Sequence, residues 1–228
     1  MKILHNTEKW LSTELIEECF ETGKKLYVDK VVTGNGFTTG FGFLKPAIGK
    51  VNVLIAPSKS IVIDKKKEHA TGEFAAKLRC AFVYEGFPLR EHLSKLDLVV
   101  IVSDSFNNNS SELKGNIDKL MVDEFHSVIV QSAFRPALKK MIYALEHEEG
   151  YEDTAITFVT ASPLIDTRID IEIKNDFMSD RILHTTKDLD NSIDRCVESI
   201  KSGKKTMIFT QDSNTLKKIL KNAERNNI

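Results

Sequence analysis

Short apolar runs recur along the chain: Leu26 to Val32, Val51 to Ala56, Cys80 to Tyr84, Leu96 to Val102, Leu120 to Val122 and Ala155 to Thr160. They are continuous rather than alternating, as strands of a parallel sheet covered on both faces must be. Segments of helical periodicity separate most of them. In residues 12–24, Ser12 opens such a segment, Leu15, Ile16, Cys19 and Phe20 share one face, and Gly23 closes it. A second helix is expected through Lys65–Glu68, whereas Asn107 to Ser111 reads as a polar loop. The pattern predicts a doubly wound, mainly parallel α/β sheet.

A seam is expected near residues 165–172, dividing the chain into 1–168 and 169–228. Beyond it, Ile169 to Ile173, Arg181 to Thr185 and Lys205 to Thr210 read as strands. Leu189 to Ser202 and Ser213 to Arg225 read as helices. Roughly sixty residues make about half of an ordinary domain, so this tail reads as an incomplete second α/β unit.

Composition changes this picture little. A hydrophobic share of 41% and a charged share of 29% are those of an ordinary globular protein. Thirty-two Lys and Arg against 33 Asp and Glu advertise no nucleic-acid partner, although basic contacts can be confined to one groove. Cys19, Cys80 and Cys196 lack zinc-site spacing and read as reduced, mostly buried thiols. No apolar run suits a membrane span or a signal peptide, so a cytoplasmic protein is expected.

Candidate chemistry gathers where the apolar runs end, the place at which open α/β sheets bind ligands. Gly34 and Gly36 allow a turn whose backbone N–H groups can close on phosphates, with Thr38 able to hold Mg²⁺. Asp123 and Glu124 after the next such run can bind a metal and orient an attacking water, and His126 can couple them to a neighbouring strand. Thr160 and Ser162 can sense the nucleotide from a third. Each has a bland alternative: a ligand-free glycine turn, an acidic helix start, a turn before Pro163. Their order and shared position outweigh any one of them.

Together these segments resemble the motifs of superfamily-two helicases. Thr33–Thr39 resembles motif I, Ile55–Ser60 motif Ia, and Asp123-Glu124-Phe125-His126 the DExH form of motif II. Thr160-Ala161-Ser162-Pro163 resembles motif III, Ile101–Phe106 a stretch lining the strand-binding groove, and Gly203–Thr210 the strand that opens the second lobe. The resemblance implies a RecA-like P-loop fold and an ATP- and Mg²⁺-dependent enzyme acting on single-stranded or duplex nucleic acid. By the same resemblance Asp123, Glu124 and His126 are catalytic, Gly34, Gly36, Thr38 and Thr39 hold the nucleotide, and Thr38 and Asp123 hold the metal. Ser58, Lys59 and Ser105 meet the nucleic acid, and Thr160 and Ser162 provide coupling.

The departures count equally. Phe37 stands where motif I carries its lysine, and none of Arg168, Arg181, Arg195 and Arg225 lies in a segment resembling motif VI. Lys30, at the end of the preceding strand, is either a substitute or an ordinary strand-end lysine. A lysine put back at position 37 is expected to be tolerated and to strengthen nucleotide binding. Three functions stay open: a nucleic-acid-dependent NTPase, weak or inactive alone and completed by a longer polypeptide or partner; a non-catalytic nucleic-acid-binding module; and a scaffold.

Overall fold

The computed structural model describes residues 1–147, 150–163, 168–176 and 221. The chain divides into compact units Met1–Met178 and Ser179–Ile228, and the first is described here. The strands expected at 181–185 and 205–210, the helices at 189–202 and 213–225, and Cys196 lie outside the described residues.

Among the described residues eight strands form one sheet: β1 (Lys2–Asn6), β2 (Lys25–Asp29), β3 (Val51–Ala56), β4 (Cys80–Val83), β5 (Leu98–Val102), β6 (Ile117–Val122), β7 (Ala155–Thr160) and β8 (Ile171–Asn175). Their spatial order is β1-β8-β2-β7-β6-β3-β5-β4, and every neighbouring pair is parallel. The connections carry helices α1 (Thr13–Glu17), α2 (Phe37–Phe41), α3 (Lys59–Thr71), α4 (Ser103–Leu113), α5 (Phe125–Ser132) and α6 (Pro136–His147).

Two cores, one on each face, explain the continuous apolar runs. Leu54 and Ala56 of β3 and Leu98, Val100 and Val102 of β5 enter one core. The alternate residues Val51, Val53, Ile55, Val99 and Ile101 enter the other. β3 is buried at every position. At roughly 1.5–3 kcal/mol for each fully buried aliphatic side chain, it anchors the centre of the sheet.

The structure corrects three expectations. Met1 to Asn6 carried no strand signal, yet β1 forms the sheet edge. Ile171–Asn175, placed beyond the seam by the sequence, pairs with β1 and β2, so the 168/169 boundary would cut away a strand of the first unit. The asparagine-rich stretch is helix α4, because Phe106 and Leu113, two turns apart, are fully buried. Its amides bond backbone carbonyls instead of opening a loop: Asn109 Nδ2 donates to Ser105 O at 2.8 Å and Asn107 Nδ2 to Ala137 O at 2.7 Å.

Candidate active site

Strands β2, β7 and β6 are neighbours, and their C-terminal ends bring Lys30, Thr160 and Asp123 together. Tyr27 of β2 stacks on Phe158 of β7 with ring centroids 4.8 Å apart, and Phe125 at the start of α5 meets both rings tilted, at 5.6 and 4.5 Å. The Lys30 amide donates to Thr160 O at 2.8 Å, and the Asp123 amide to Ile55 O at 3.0 Å.

Asp123 is the hub. Thr38 Oγ1 donates to its Oδ2 at 2.8 Å, while the Glu124 amide donates to Oδ1 at 2.9 Å. Lys30 Nζ lies 3.4 Å from Oδ1 and 2.8 Å from Glu124 Oε1. The Lys30 side chain is only 5% exposed, so it is not the solvated strand-end lysine that its position allowed. Burial alone would depress its pKa; the Asp123 charge and the Glu124 hydrogen bond outweigh that and hold it above the ordinary lysine value. Glu124 adopts φ +47°, unusual for a non-glycine residue, as the chain turns from β6 into α5.

The glycine turn is formed, with Gly34 at φ +74° and Gly36 at φ +87°. A side chain at Gly34 would meet open space, whereas Gly36 faces Trp10. Asn35 ties the turn down, donating to Lys30 O at 3.3 Å and accepting from the Phe37 amide at 3.3 Å. Phe37 itself is 1% exposed and lies in the core with Phe41 and Leu44. The expectation that a lysine is tolerated there is therefore corrected: the ring fills core volume. Thr39, half-buried in α2, takes no part in these contacts.

His126 Nδ1 pairs with Thr160 Oγ1 at 2.8 Å and lies 3.4 Å from Glu124 Oε2, linking β6 to β7. Ser162 joins through its backbone, whose amide donates to Thr160 Oγ1 at 3.0 Å; the residue itself is exposed.

The candidate nucleic-acid residues lie along the other half of the same sheet edge, after β3 and β5. Ser58 Oγ pairs with Ser60 Oγ at 2.8 Å. Lys59 is half exposed, pairs with Glu85 at 3.5 Å and lies 5.7 Å from the centre of the Tyr84 ring. Ser105 sits in the first turn of α4. Near it Arg135 reaches Asp104 at 2.5 Å, and Phe134 is 70% exposed.

Among the described residues no cluster of three His, Cys, Asp or Glu side chains is placed to hold a metal. Mg²⁺ needs fewer, since it takes one or two protein oxygens and fills its octahedron with phosphate and water. The Thr38 hydroxyl and Asp123 carboxylate are adjacent hard donors, so the residues present fit that ion.

In this all-parallel α/β sheet the glycine turn after β2 and the acidic pair after β6 flank the end of β7, which lies between them. No protein-family model and no curated protein matches the chain. Among solved structures it is similar to the DUF1998 helicase MrfA, at 12% identity and TM-score 0.54, over 93% of this chain and 37% of that one. It also matches the Pyrococcus furiosus Hef helicase domain, at 13% identity and TM-score 0.45, over 82% of this chain and 45% of that one. At such identities the MrfA likeness establishes a helicase-like fold, and this chain spans less than half the length of either protein.

Proposed function

We propose that this chain is a DExH-type helicase module, a nucleic-acid-dependent NTPase with weak turnover in isolation. The observation that carries it is the contact between the glycine turn and the acidic strand end, Thr38 Oγ1 on Asp123 Oδ2 at 2.8 Å. It sets the glycine turn beside the strand-end carboxylate, a pairing that a ligand-free glycine turn and an acidic helix start do not require, and so supports reading the two as a phosphate and metal site.

In this reading Gly34, Gly36, Thr38 and Thr39 embrace the ATP phosphates, and Thr38 and Asp123 hold Mg²⁺. The bound ion would neutralise charge on the phosphate oxygens. Glu124 orients the attacking water and takes its proton once released from Lys30. His126 and Thr160 relay the state of the site from β6 to β7, with Ser162 held to Thr160. Ser58, Lys59 and Ser105 contact the nucleic-acid backbone, which gives salt-sensitive binding indifferent to sequence. Turnover is weak because Phe37 stands where motif I carries its lysine and no arginine lies in a segment resembling motif VI, the source of an arginine finger that contributes about 10³–10⁵ in related NTPases. A longer polypeptide or a partner would supply it. Cys19 and Cys80, free thiols whose pKa values burial pushes up to about 12, suit a reducing cytoplasm.

The alternative, a non-catalytic nucleic-acid-binding or scaffold protein, is favoured by the loss of the motif I lysine to a buried ring. Phosphate release from ATP, with and without single-stranded DNA or RNA, separates the two. The expected result is turnover below about 1 s⁻¹, stimulated by nucleic acid and abolished by Glu124→Gln. Release no faster than that of the Glu124→Gln protein under every condition would establish the non-catalytic alternative.

A further inference from the structure

Phe37 is sealed in the core, so α2 presents no cation to a nucleotide from that position. A polyphosphate approaching the Gly34–Gly36 turn would meet the carboxylates of Asp123 and Glu124, an arrangement repulsive for any anion unless a positive group stands among them. One does. Lys30 Nζ and Thr38 Oγ1 take opposite oxygens of the same Asp123 carboxylate, so the ammonium and the proposed metal-binding hydroxyl flank a single group.

Resting on the nucleotide-site reading above, we infer that Lys30, delivered from the end of β2, is the residue that binds the outer phosphates of a nucleoside di- or triphosphate in this chain. Its backbone is fixed, while four rotatable side-chain bonds separate the ammonium from it. Lys30 O accepts from Val32 N at 2.5 Å and from Asn35 Nδ2 at 3.3 Å. The next residue, Val31, is held at φ +57° with its amide on Asp29 Oδ1 at 2.7 Å. A β-branched residue in that region is an outlier, and here it turns the chain sharply immediately after the lysine. The lysine's four-carbon stem carries a compact ammonium with three rotatable donors, so the charge can move while the strand end stays put.

The resting contacts then acquire a purpose. Lys30 offsets one of the two acid charges, and its nearer partner is Glu124 rather than Asp123. Movement of the ammonium onto phosphate releases the Glu124 carboxylate, the group proposed to activate water. Phosphate binding and release of the base become one event, and an empty site keeps its base occupied.

Isothermal titration of the full chain with Mg²⁺·ADP and with a non-hydrolysable Mg²⁺·ATP analogue tests this. The informative variant is Lys30→Met/Glu124→Gln, which removes the lysine with its closest partner and keeps the net charge of the site. Lys30→Arg and Glu124→Gln serve as controls, with thermal melts to verify folding. The expected result is that Glu124→Gln binds at least as tightly as wild type, the double variant binds both nucleotides about tenfold or more weakly than wild type, and Lys30→Arg falls between. Equal affinities for the double variant and wild type, which carry the same net charge in the site, would overturn the role of Lys30 and leave the nucleotide site standing. No binding by wild type would overturn both. If the double variant does not fold, Lys30→Arg decides: a weakened affinity in the folded protein keeps the proposal, and an affinity equal to wild type overturns it.

Discussion

Two lysine–glutamate pairs lie on the same edge of this sheet and behave as different objects. Lys30–Glu124 closes to 2.8 Å with side chains 5% and 25% exposed, whereas Lys59–Glu85 spans 3.5 Å with side chains 48% and 90% exposed. The first belongs to the half of the edge formed by β2, β7 and β6, where polar groups are cut off from water and must satisfy each other. The second belongs to the half formed by β3, β5 and β4, where water satisfies them and a ligand's charge can replace it. Exposed pairs contribute about 0–1 kcal/mol, and breaking a buried one costs about 3–5 kcal/mol. The buried half is therefore held by its own contacts, while the open half is held mainly by water.

The largest effect is expected at Phe37. Phe37→Lys removes a fully buried ring, a loss of about 3–5 kcal/mol for aromatic truncations, and adds an ammonium that must find water. A stability change within about 0.5 kcal/mol by urea titration would place the ring outside the buried half. Next comes Lys30→Met, which strands two carboxylates. A loss of about 3–5 kcal/mol is expected, or roughly 6–20 °C in Tm for a chain of this size. Adding Glu124→Gln should recover most of it, and no recovery would show that the two residues do not share one charge network.

The link between strands is worth less. Thr160→Val removes the partner of His126, at about 0.5–1.5 kcal/mol for one hydrogen bond. It should lower stimulation of ATP hydrolysis by nucleic acid more than it lowers nucleotide affinity. Equal losses in both would assign His126 and Thr160 to binding alone. The smallest stability effect belongs to the open half. Lys59→Ala should leave Tm unchanged while weakening single-strand binding and reducing the salt-dependence slope by about one. An unchanged slope in fluorescence anisotropy would remove Lys59 from the groove.

The same division governs what the sequence revealed. β3, β5 and β7 are buried on both faces and read directly from their continuous apolar runs. β1 mixes exposed and buried positions and gave no such signal. Helix α4 was missed because its asparagines favour turns by local propensity, and Phe106 and Leu113 override that only through tertiary burial. At the site, Asp123, Glu124, Thr38, His126 and Thr160 were legible because strand-end polar residues have few structural reasons to be there. Lys30 was noticed but left undecided. Its burial depends on carboxylates 93 and 94 residues away in sequence, a distance that local patterns do not span. The aromatic stack of Tyr27, Phe125 and Phe158 was hidden for the same reason.

The most direct test is a crystal structure of the chain with Mg²⁺ and a non-hydrolysable ATP analogue. The phosphates should lie in the Gly34–Gly36 turn, with Mg²⁺ between Thr38 and Asp123 and Lys30 Nζ moved from Glu124 onto a phosphate oxygen. A nucleotide bound elsewhere, or an empty turn with Lys30 still on both carboxylates at saturating nucleotide, would contradict the assignment of this strand-end cluster as a nucleotide site.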